Sequence, residues 1–230
     1  MNVRTTIVFS SLALIYLATL PLTPYVAQFL PKALPIVVLA VFAYTKLSAM
    51  PRYMVLTALL FSLAGDVSLA LPFADSFITG LACFFVAHLT YAMCFALLHR
   101  RLQETPGDHI ISRKPKWLIS IIMVSFAVMM AVHILPASKA LFYPVVAYIG
   151  VITLMGLTAV WLAQTKLIVT GALLFVISDA ILAQSVFKTP LPLSTFWVMT
   201  TYYGAQYCLT MGLVDGFLRK ENRQEEIGQT

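Results

Sequence analysis

The sequence has few charged residues. Only 10% of its 230 residues are Asp, Glu, Lys or Arg, whereas 60% are hydrophobic and the mean hydropathy is +0.90. A soluble domain typically carries about 25% charged residues, so this composition argues against a soluble globular fold. It indicates a chain that lies largely within a lipid bilayer.

Cysteine pairs and the signatures of several protein classes are also missing. The three cysteines, Cys83, Cys94 and Cys208, lie singly in apolar stretches, which predicts neither a disulfide framework nor a zinc knuckle. We find no G-x-S-x-G elbow, no glycine-rich phosphate loop and no motif typical of nucleic-acid-binding domains. We therefore predict no metal, no cofactor and no nucleic-acid partner.

Long apolar stretches dominate the chain. About 20 apolar residues in a helix are enough to cross the ~30 Å hydrocarbon core of a bilayer. Eight stretches are candidates: Val3–Leu20, Lys32–Thr45, Tyr53–Leu71, Phe77–Leu98, Trp117–Leu135, Leu141–Leu162, Leu167–Phe187 and Ser194–Leu218. They predict an all-α membrane protein, a single eight-helix transmembrane bundle over residues 1–218. We expect Pro35 in the first turn of the second helix, and a charged, disordered cytoplasmic tail over residues 219–230.

The basic residues predict the orientation of this bundle. If the N-terminus lies in the cytoplasm, only Lys32, Lys139 and Lys188 of the 15 Lys and Arg residues fall on the outer side. Loops on the cytoplasmic side of membrane proteins are enriched in Lys and Arg. We therefore expect both termini in the cytoplasm, and the compact layout favours a bacterial inner membrane.

Two spans share a local pattern around an aspartate. Residues 61–70, FSLAGDVSLA, and residues 174–183, LFVISDAILA, both contain a small residue followed by Asp-x-x-Leu-Ala. The third and seventh spans run in the same direction, so the pattern indicates a possible parallel four-plus-four helix repeat.

Three ionisable side chains lie deep within predicted spans. At 1.5 Å per residue, Asp66 and Asp179 lie roughly 20 Å and 18 Å from the inner face, and His88 lies roughly 16 Å from the outer face. Ionisable groups at such depth usually face a protein interior or a water-filled cavity. The other polar side chains at similar depth are Tyr91, Tyr203 and Gln206.

Structural roles are open for each of these residues. A buried Asp can be protonated and hydrogen-bonded as a polar lock between helices, and His88 can be an interhelical hydrogen bonder. Lys32, at the outer mouth, is either an ordinary helix-end lysine or a contact for a lipid phosphate. Asp215 is expected to form an ion pair with Arg219, four residues later on the same helix.

Several motifs in order resemble a known family. They are F-x-L-x-G-D-x-x-L around Asp66, the F-x-x-G-L-x-x-F-x-x-x-H-x-x-Y pattern of residues 77–91, the G-A-x-L-F-x-x-S-D-x-x-L-A pattern of residues 171–183, and Y-Y-x-A-Q at residues 202–206. Together they resemble the YhhN-like membrane proteins, the lysoplasmalogenase family, over nearly the whole chain. The segment from Lys32 to Pro35 departs from the family pattern, since it reads K-A-L-P where the family usually has K-P-L-P.

The resemblance implies hydrolysis of the vinyl ether bond of a lysoplasmalogen within the bilayer. The products would be a fatty aldehyde and glycerophospho-ethanolamine or -choline. A protonated carboxyl group would start the reaction, and a second, ionised one would stabilise the cation and orient water. Asp66 and Asp179 are the catalytic candidates, and which one is the acid stays open. The expected substrate-positioning residues are His88, Tyr91, Tyr203, Gln206, Ser178 and Lys32.

A second function is compatible with the same residues. In a proton-coupled transporter or lipid carrier, Asp66 and Asp179 would be protonation sites along a pathway. The two spans that hold these aspartates contain no evident helix break, which favours the hydrolase. The oligomeric state is not indicated by the sequence.

Overall fold

The computed structural model describes residues 3–25, 27–103, 113–163 and 165–228, and all regular secondary structure in these ranges is helical. The α-helices are α1 (Val3–Thr19), α2 (Phe29–Lys46), α3 (Ala49–Ala70), α4 (Ser76–Gln103), α5 (Arg113–Ser138), α6 (Phe142–Thr158), α7 (Lys166–Phe187) and α8 (Ser194–Gly228). Short 3₁₀ turns follow α1 and α5, and a π-helical turn, Ala159–Ala163, follows α6. The all-α prediction is confirmed.

The helices pack into one bundle around an apolar core. The most extensive contacts join α3 to α4 and α7 to α8, while α6 packs against α4, α5 and α7, and α5 also contacts α7. Many large apolar side chains point outward, among them Val132 and Tyr143, which are 73% and 81% exposed. Apolar outer faces of this kind are suited to contact with lipid chains, which are as apolar as the side chains themselves.

The lengths and compositions of the helices indicate a multi-pass membrane protein. By length and composition, six stretches of the described chain could cross a membrane, and the longest of them, Lys116–Ala163, contains both α5 and α6. Helix α8 is not among the six, because its stretch Ser194–Leu218 is less apolar than the other spans. The count of eight spans and the orientation of the termini therefore stay predictions.

Proline positions differ from those expected. Helix α2 begins at Phe29, so Pro35 lies inside the helix and not in its first turn. Pro35 has no N–H to offer to the carbonyl of Pro31, which weakens the helix there. The next carbonyl, that of Lys32, accepts a hydrogen bond of 2.8 Å from the Tyr203 hydroxyl group, a form of support that membrane helices with an internal proline use.

The C-terminal tail is the other correction. Residues 219–228 continue α8 as helix as far as Gly228, where the sequence predicted disorder. The reason is that Arg, Lys, Glu and Gln are strong helix formers, and a helix that already exists extends without a new nucleation step.

Candidate active site

Asp66 lies at the contact of three helices and both of its carboxylate oxygens have donors. Lys32 of α2 places Nζ 3.2 Å from Oδ1 and 3.1 Å from the backbone oxygen of Asp66. The hydroxyl group of Tyr202, on α8, donates to Oδ2 at 2.5 Å. Asp66 is 3% exposed and Lys32 is 9% exposed, so the structure contains a buried, hydrogen-bonded ion pair.

Asp179 lies in a second cluster built from α4, α6 and α7. The Tyr148 hydroxyl group donates to Oδ2 of Asp179 at 2.6 Å. Nε2 of His88 is 3.2 Å from the same oxygen and 3.1 Å from the Tyr148 hydroxyl oxygen. With its proton on Nε2, the imidazole ring donates to this pair of oxygens. Both contacts fall on Oδ2 among the described residues, which leaves Oδ1 for another partner.

The two aspartates face one polar cavity of about 630 Å³. Its walls come from α1, the α1–α2 connection, α2, α3, α4, α7 and α8, and it extends to the end of the bundle where α3 meets α4 and α7 meets α8. Lys32 and Tyr202 line it as well. Within the described chain the two carboxyl groups have separate sets of donors, so they share a cavity without sharing a hydrogen bond.

A second cavity meets the first at Asp179. It lies between α4, α5, α6 and α7, with Leu69 of α3 also in its wall, and the wall is apolar except for Tyr148, Thr153 and Asp179. Four further residues border both cavities: Leu69, Phe77, Phe84 and Leu182. Asp179 is therefore a carboxyl group at the boundary of a polar and an apolar space.

The residues expected around the aspartates separate into three groups. Two residues contact an aspartate, one lines the polar cavity without such a contact, and three lie outside that cavity. His88 contacts Asp179, and Lys32 contacts Asp66 and lines the polar cavity, while the contact of Lys32 with a lipid phosphate stays a prediction. Ser178 lines the polar cavity and donates to the backbone oxygen of Val198 at 3.0 Å.

Tyr91, Gln206 and Tyr203 form the third group, which does not border the polar cavity. The Tyr91 hydroxyl group donates to Oε1 of Gln206 at 2.6 Å, and both side chains are fully buried. Tyr203 binds the backbone of α2. These contacts join α4 and α2 to α8, which is a packing role.

Two tyrosines of the site are absent from the sequence-based set. Tyr202 was passed over for its neighbour Tyr203, because adjacent residues on a helix point about 100° apart and the sequence does not reveal which one faces α3. Tyr148 lies in the most apolar span, Leu141–Leu162, seven residues from its start. A hydroxyl group at that depth was the feature of the sequence that could have indicated Tyr148 as a site residue.

The expected ion pair outside the site is confirmed. Nη2 of Arg219 lies 2.8 Å from Oδ2 of Asp215, and both side chains are exposed. Asp215 is thus an acidic residue of this chain with an ordinary surface role.

Comparison with known proteins shows a family match over most of the chain. Residues 27–213 match the model of the YhhN family. The human protein named lysoplasmalogenase TMEM86B is 36% identical over 184 residues, covering 79% of this chain and 73% of that protein. Bovine lysoplasmalogenase TMEM86A is 29% identical over 171 residues, or 70% of this chain and 65% of the relative. Pig lysoplasmalogenase TMEM86B is 34% identical over 160 residues, or 68% and 61%. No solved structure matches the chain.

Proposed function

Because the chain belongs to the YhhN family, we propose that it is a membrane hydrolase that cleaves the vinyl ether bond of lysoplasmalogens. The enzyme class expected from the sequence agrees with the names of its relatives, which are lysoplasmalogenases. The single observation that carries the proposal is the position of Asp179, a carboxyl group between a polar and an apolar cavity. In a lysoplasmalogen the vinyl ether bond joins a polar glycerophospho group to an apolar chain.

The reaction requires a proton donor positioned at carbon. Protonation of the β-carbon of a vinyl ether converts the C=C–O unit into an oxocarbenium ion. Water then adds to the adjacent carbon and loses a proton, and the resulting hemiacetal breaks into an aldehyde and an alcohol. The overall change consumes one water molecule, and general acid catalysis of such steps contributes roughly 10²–10⁴-fold.

We assign the acid to Asp179 from the hydrogen bonds of the two carboxyl groups. Oδ2 of Asp179 accepts from Tyr148 and lies near His88, so Oδ1 is the oxygen that can carry a proton. A protonated carboxyl group has one accepting oxygen and one donating oxygen, which matches this arrangement. Both oxygens of Asp66 receive donors, one of them an ammonium group, and this suits the carboxylate form.

Each residue then has a distinct task. Asp179 donates the proton from Oδ1 to the β-carbon and, as a carboxylate, accepts a proton from the attacking water, which restores the acid. Tyr148 and His88 hold the carboxyl group in place through Oδ2. The Asp66 carboxylate, held by Lys32 and Tyr202, stabilises the cation across the polar cavity and orients water.

Aldehyde release from an alkenyl lysophosphatidylethanolamine tests the proposal. The purified protein is expected to release aldehyde, and Asp179→Asn is expected to reduce kcat at least 10²-fold, because an amide cannot donate the proton that the carbon receives. Asp215→Asn is the matched control, since it makes the same change at an exposed ion pair. Thermal unfolding of each variant shows whether the fold is intact.

Tyr148 is tested in the same assay. Tyr148→Phe is expected to lower kcat about tenfold, the effect of losing roughly 1.4 kcal/mol from one hydrogen bond to the acid. Tyr143→Phe, on the same helix but 81% exposed, should leave kcat unchanged.

Full activity of Asp179→Asn would refute the assignment of the acid. Proton flux in vesicles without aldehyde release would instead favour the transporter.

A further inference from the structure

The apolar cavity beside Asp179 has no part in the proton transfer. It is bounded by α4, α5, α6 and α7, and the polar groups of its wall lie at Tyr148, Thr153 and Asp179. Burying polar groups against such a wall is unfavourable unless they find hydrogen-bond partners. A ligand of this cavity must therefore be apolar along its length and polar only where it meets Asp179.

The shape of the cavity suits one unbranched chain. Its lining follows α5 from Met123 to Ile134 and α7 from Val176 to Phe187. Each stretch advances about 11 residues, or ~16 Å at 1.5 Å per residue. From Asp179 to Phe187 the cavity advances eight residues, or ~12 Å, which is comparable with the ~15 Å that one lipid chain occupies in half of the ~30 Å hydrocarbon core. The cavity is small, with a volume of about 80 Å³ against about 630 Å³ for the polar cavity.

The two cavities lie side by side, and on α7 the apolar cavity extends eight residues from Asp179 toward Phe187 and three residues the other way, to Val176. Phe77 and Phe187, whose ring centroids are 5.6 Å apart, mark the far end of the apolar cavity. Phe77 and Ser185 line the polar cavity toward the same end of the bundle. A molecule that occupies the polar cavity and also reaches Phe187 in the apolar cavity must consequently bend at Asp179.

We propose that the apolar cavity binds the single alkenyl chain of the substrate, while the glycerophospho group occupies the polar cavity. This inference rests on the proposed function and adds the way in which the lipid is held. The substrate then enters as a bent molecule with its vinyl ether bond at Asp179.

Two adjacent methionines of α5 provide a matched pair for the test. Met130 lines the cavity, whereas Met129 is 56% exposed on the outer surface. Met130 lies three residues before His133, whose Nε2 is 2.9 Å from Oε1 of Gln184, so it is level with the turn of α7 that follows Asp179. A larger side chain at Met130 should therefore block a chain a short distance beyond the reacting bond.

The first experiment compares Met130→Trp with Met129→Trp on two substrates, a hexadecenyl and a butenyl lysophosphatidylethanolamine. Met130→Trp is expected to lower kcat/KM at least about tenfold for the long chain and to leave the short chain unaffected. Met129→Trp should match the wild type on both. Equal rates of Met130→Trp and wild type on the long chain, or an equal loss on both chains, would overturn the chain site.

A binding experiment separates the chain site from the proposed function. The probe is a saturated ether lysophospholipid with a diazirine near the end of its chain, which cannot undergo vinyl ether hydrolysis. Light-induced labelling is expected on residues near the far end of the apolar cavity, such as Ile134 and Phe187. Labelling confined to outward residues such as Val128 and Met129 would overturn the chain site. If the wild type releases no aldehyde but its cavity residues are labelled, the hydrolase proposal is refuted and the proposal of a chain site is supported.

Discussion

At the scale of single residues, the two aspartates of the site have different partners. Asp66 is paired with the ammonium group of Lys32, whereas the partners of Asp179 in the described chain are a hydroxyl group and an imidazole ring. Removal of one charge from a buried ion pair leaves the other charge without compensation. The same Asp→Asn change should consequently affect the two positions in different ways.

Asp66→Asn is expected to destabilise the protein more than Asp179→Asn does. The unpaired ammonium group of Lys32 should cost about 3–5 kcal/mol, since its side chain is only 11% exposed. Thermal unfolding in detergent measures the difference between the two variants. The double variant Lys32→Met with Asp66→Asn should recover most of the loss, and equal unfolding temperatures of the two single variants would contradict the ion pair.

At the scale of helices, small residues bring the site together. A Cβ atom added to Gly65 would lie 2.6 Å from the ring of Phe84, so glycine next to Asp66 is what allows α3 and α4 to approach this closely. Gly171 plays the same part between α7 and α8, where an added Cβ would lie 2.9 Å from Leu209. The pairing of α3 with α4 and of α7 with α8 is the arrangement that a four-plus-four repeat predicts, while duplication itself stays a prediction.

Gly65→Ala should separate α3 from α4 and displace Asp66. Overpacking of this kind typically costs about 1–3 kcal/mol, so we expect a lower unfolding temperature together with reduced aldehyde release. Gly150→Ala is the control, because an added Cβ there meets no atom within 4 Å and alanine favours a helix. Equal stability of the two variants would show that the Gly65–Phe84 contact is not limiting.

At the scale of the whole molecule, the number of membrane crossings decides where the polar cavity opens. The described chain has six candidate spans by composition, whereas eight crossings require that α5 and α6 cross separately and that α8 crosses as well. α5 and α6 pack side by side, and α8 packs along α7, as separate crossings would demand. On the predicted orientation the polar cavity opens on the outer side.

Cysteine labelling tests this topology. In a variant without the three native cysteines, a membrane-impermeant thiol reagent should label Lys139→Cys and Lys188→Cys in intact cells. Lys46→Cys and Arg219→Cys should react only after permeabilisation, because Lys and Arg concentrate on the cytoplasmic side. Labelling of Lys46→Cys in intact cells would reverse the orientation, and protection of Lys139→Cys would show that α5 and α6 do not cross separately.

Much of the architecture could be read from the sequence because the bilayer restricts the alternatives. All backbone groups in hydrocarbon must be hydrogen-bonded, so long apolar stretches become helices. The match of Asp66, His88 and Asp179 in depth was also accessible, since each residue advances a helix by 1.5 Å. Helix ends were less accessible: Pro35 inside α2 and the helical tail after Arg219 depend on support from Tyr203 and on continuation of an existing helix.

The sequence did not reveal the directions in which the side chains point. Depth depends on position along a helix axis, whereas contact depends on rotation about that axis and on which helices are neighbours. Tyr202 and Tyr203 have nearly the same depth, yet one donates to Asp66 and the other to the backbone of α2. Tyr91 and Gln206 have the expected depth and bind each other in the packed interior.

The sequence by itself determined that this is a helical membrane protein with two acidic groups at one level. The physical reason is the high cost of charge and of unpaired backbone groups in lipid, which few arrangements can meet. Only the tertiary structure decided that Asp66 has an ammonium partner and that both contacts of Asp179 in the described chain fall on Oδ2. It also decided that Asp179 borders both a polar and an apolar cavity. These features arise from the packing of helices far apart in the chain, which local residue patterns do not encode.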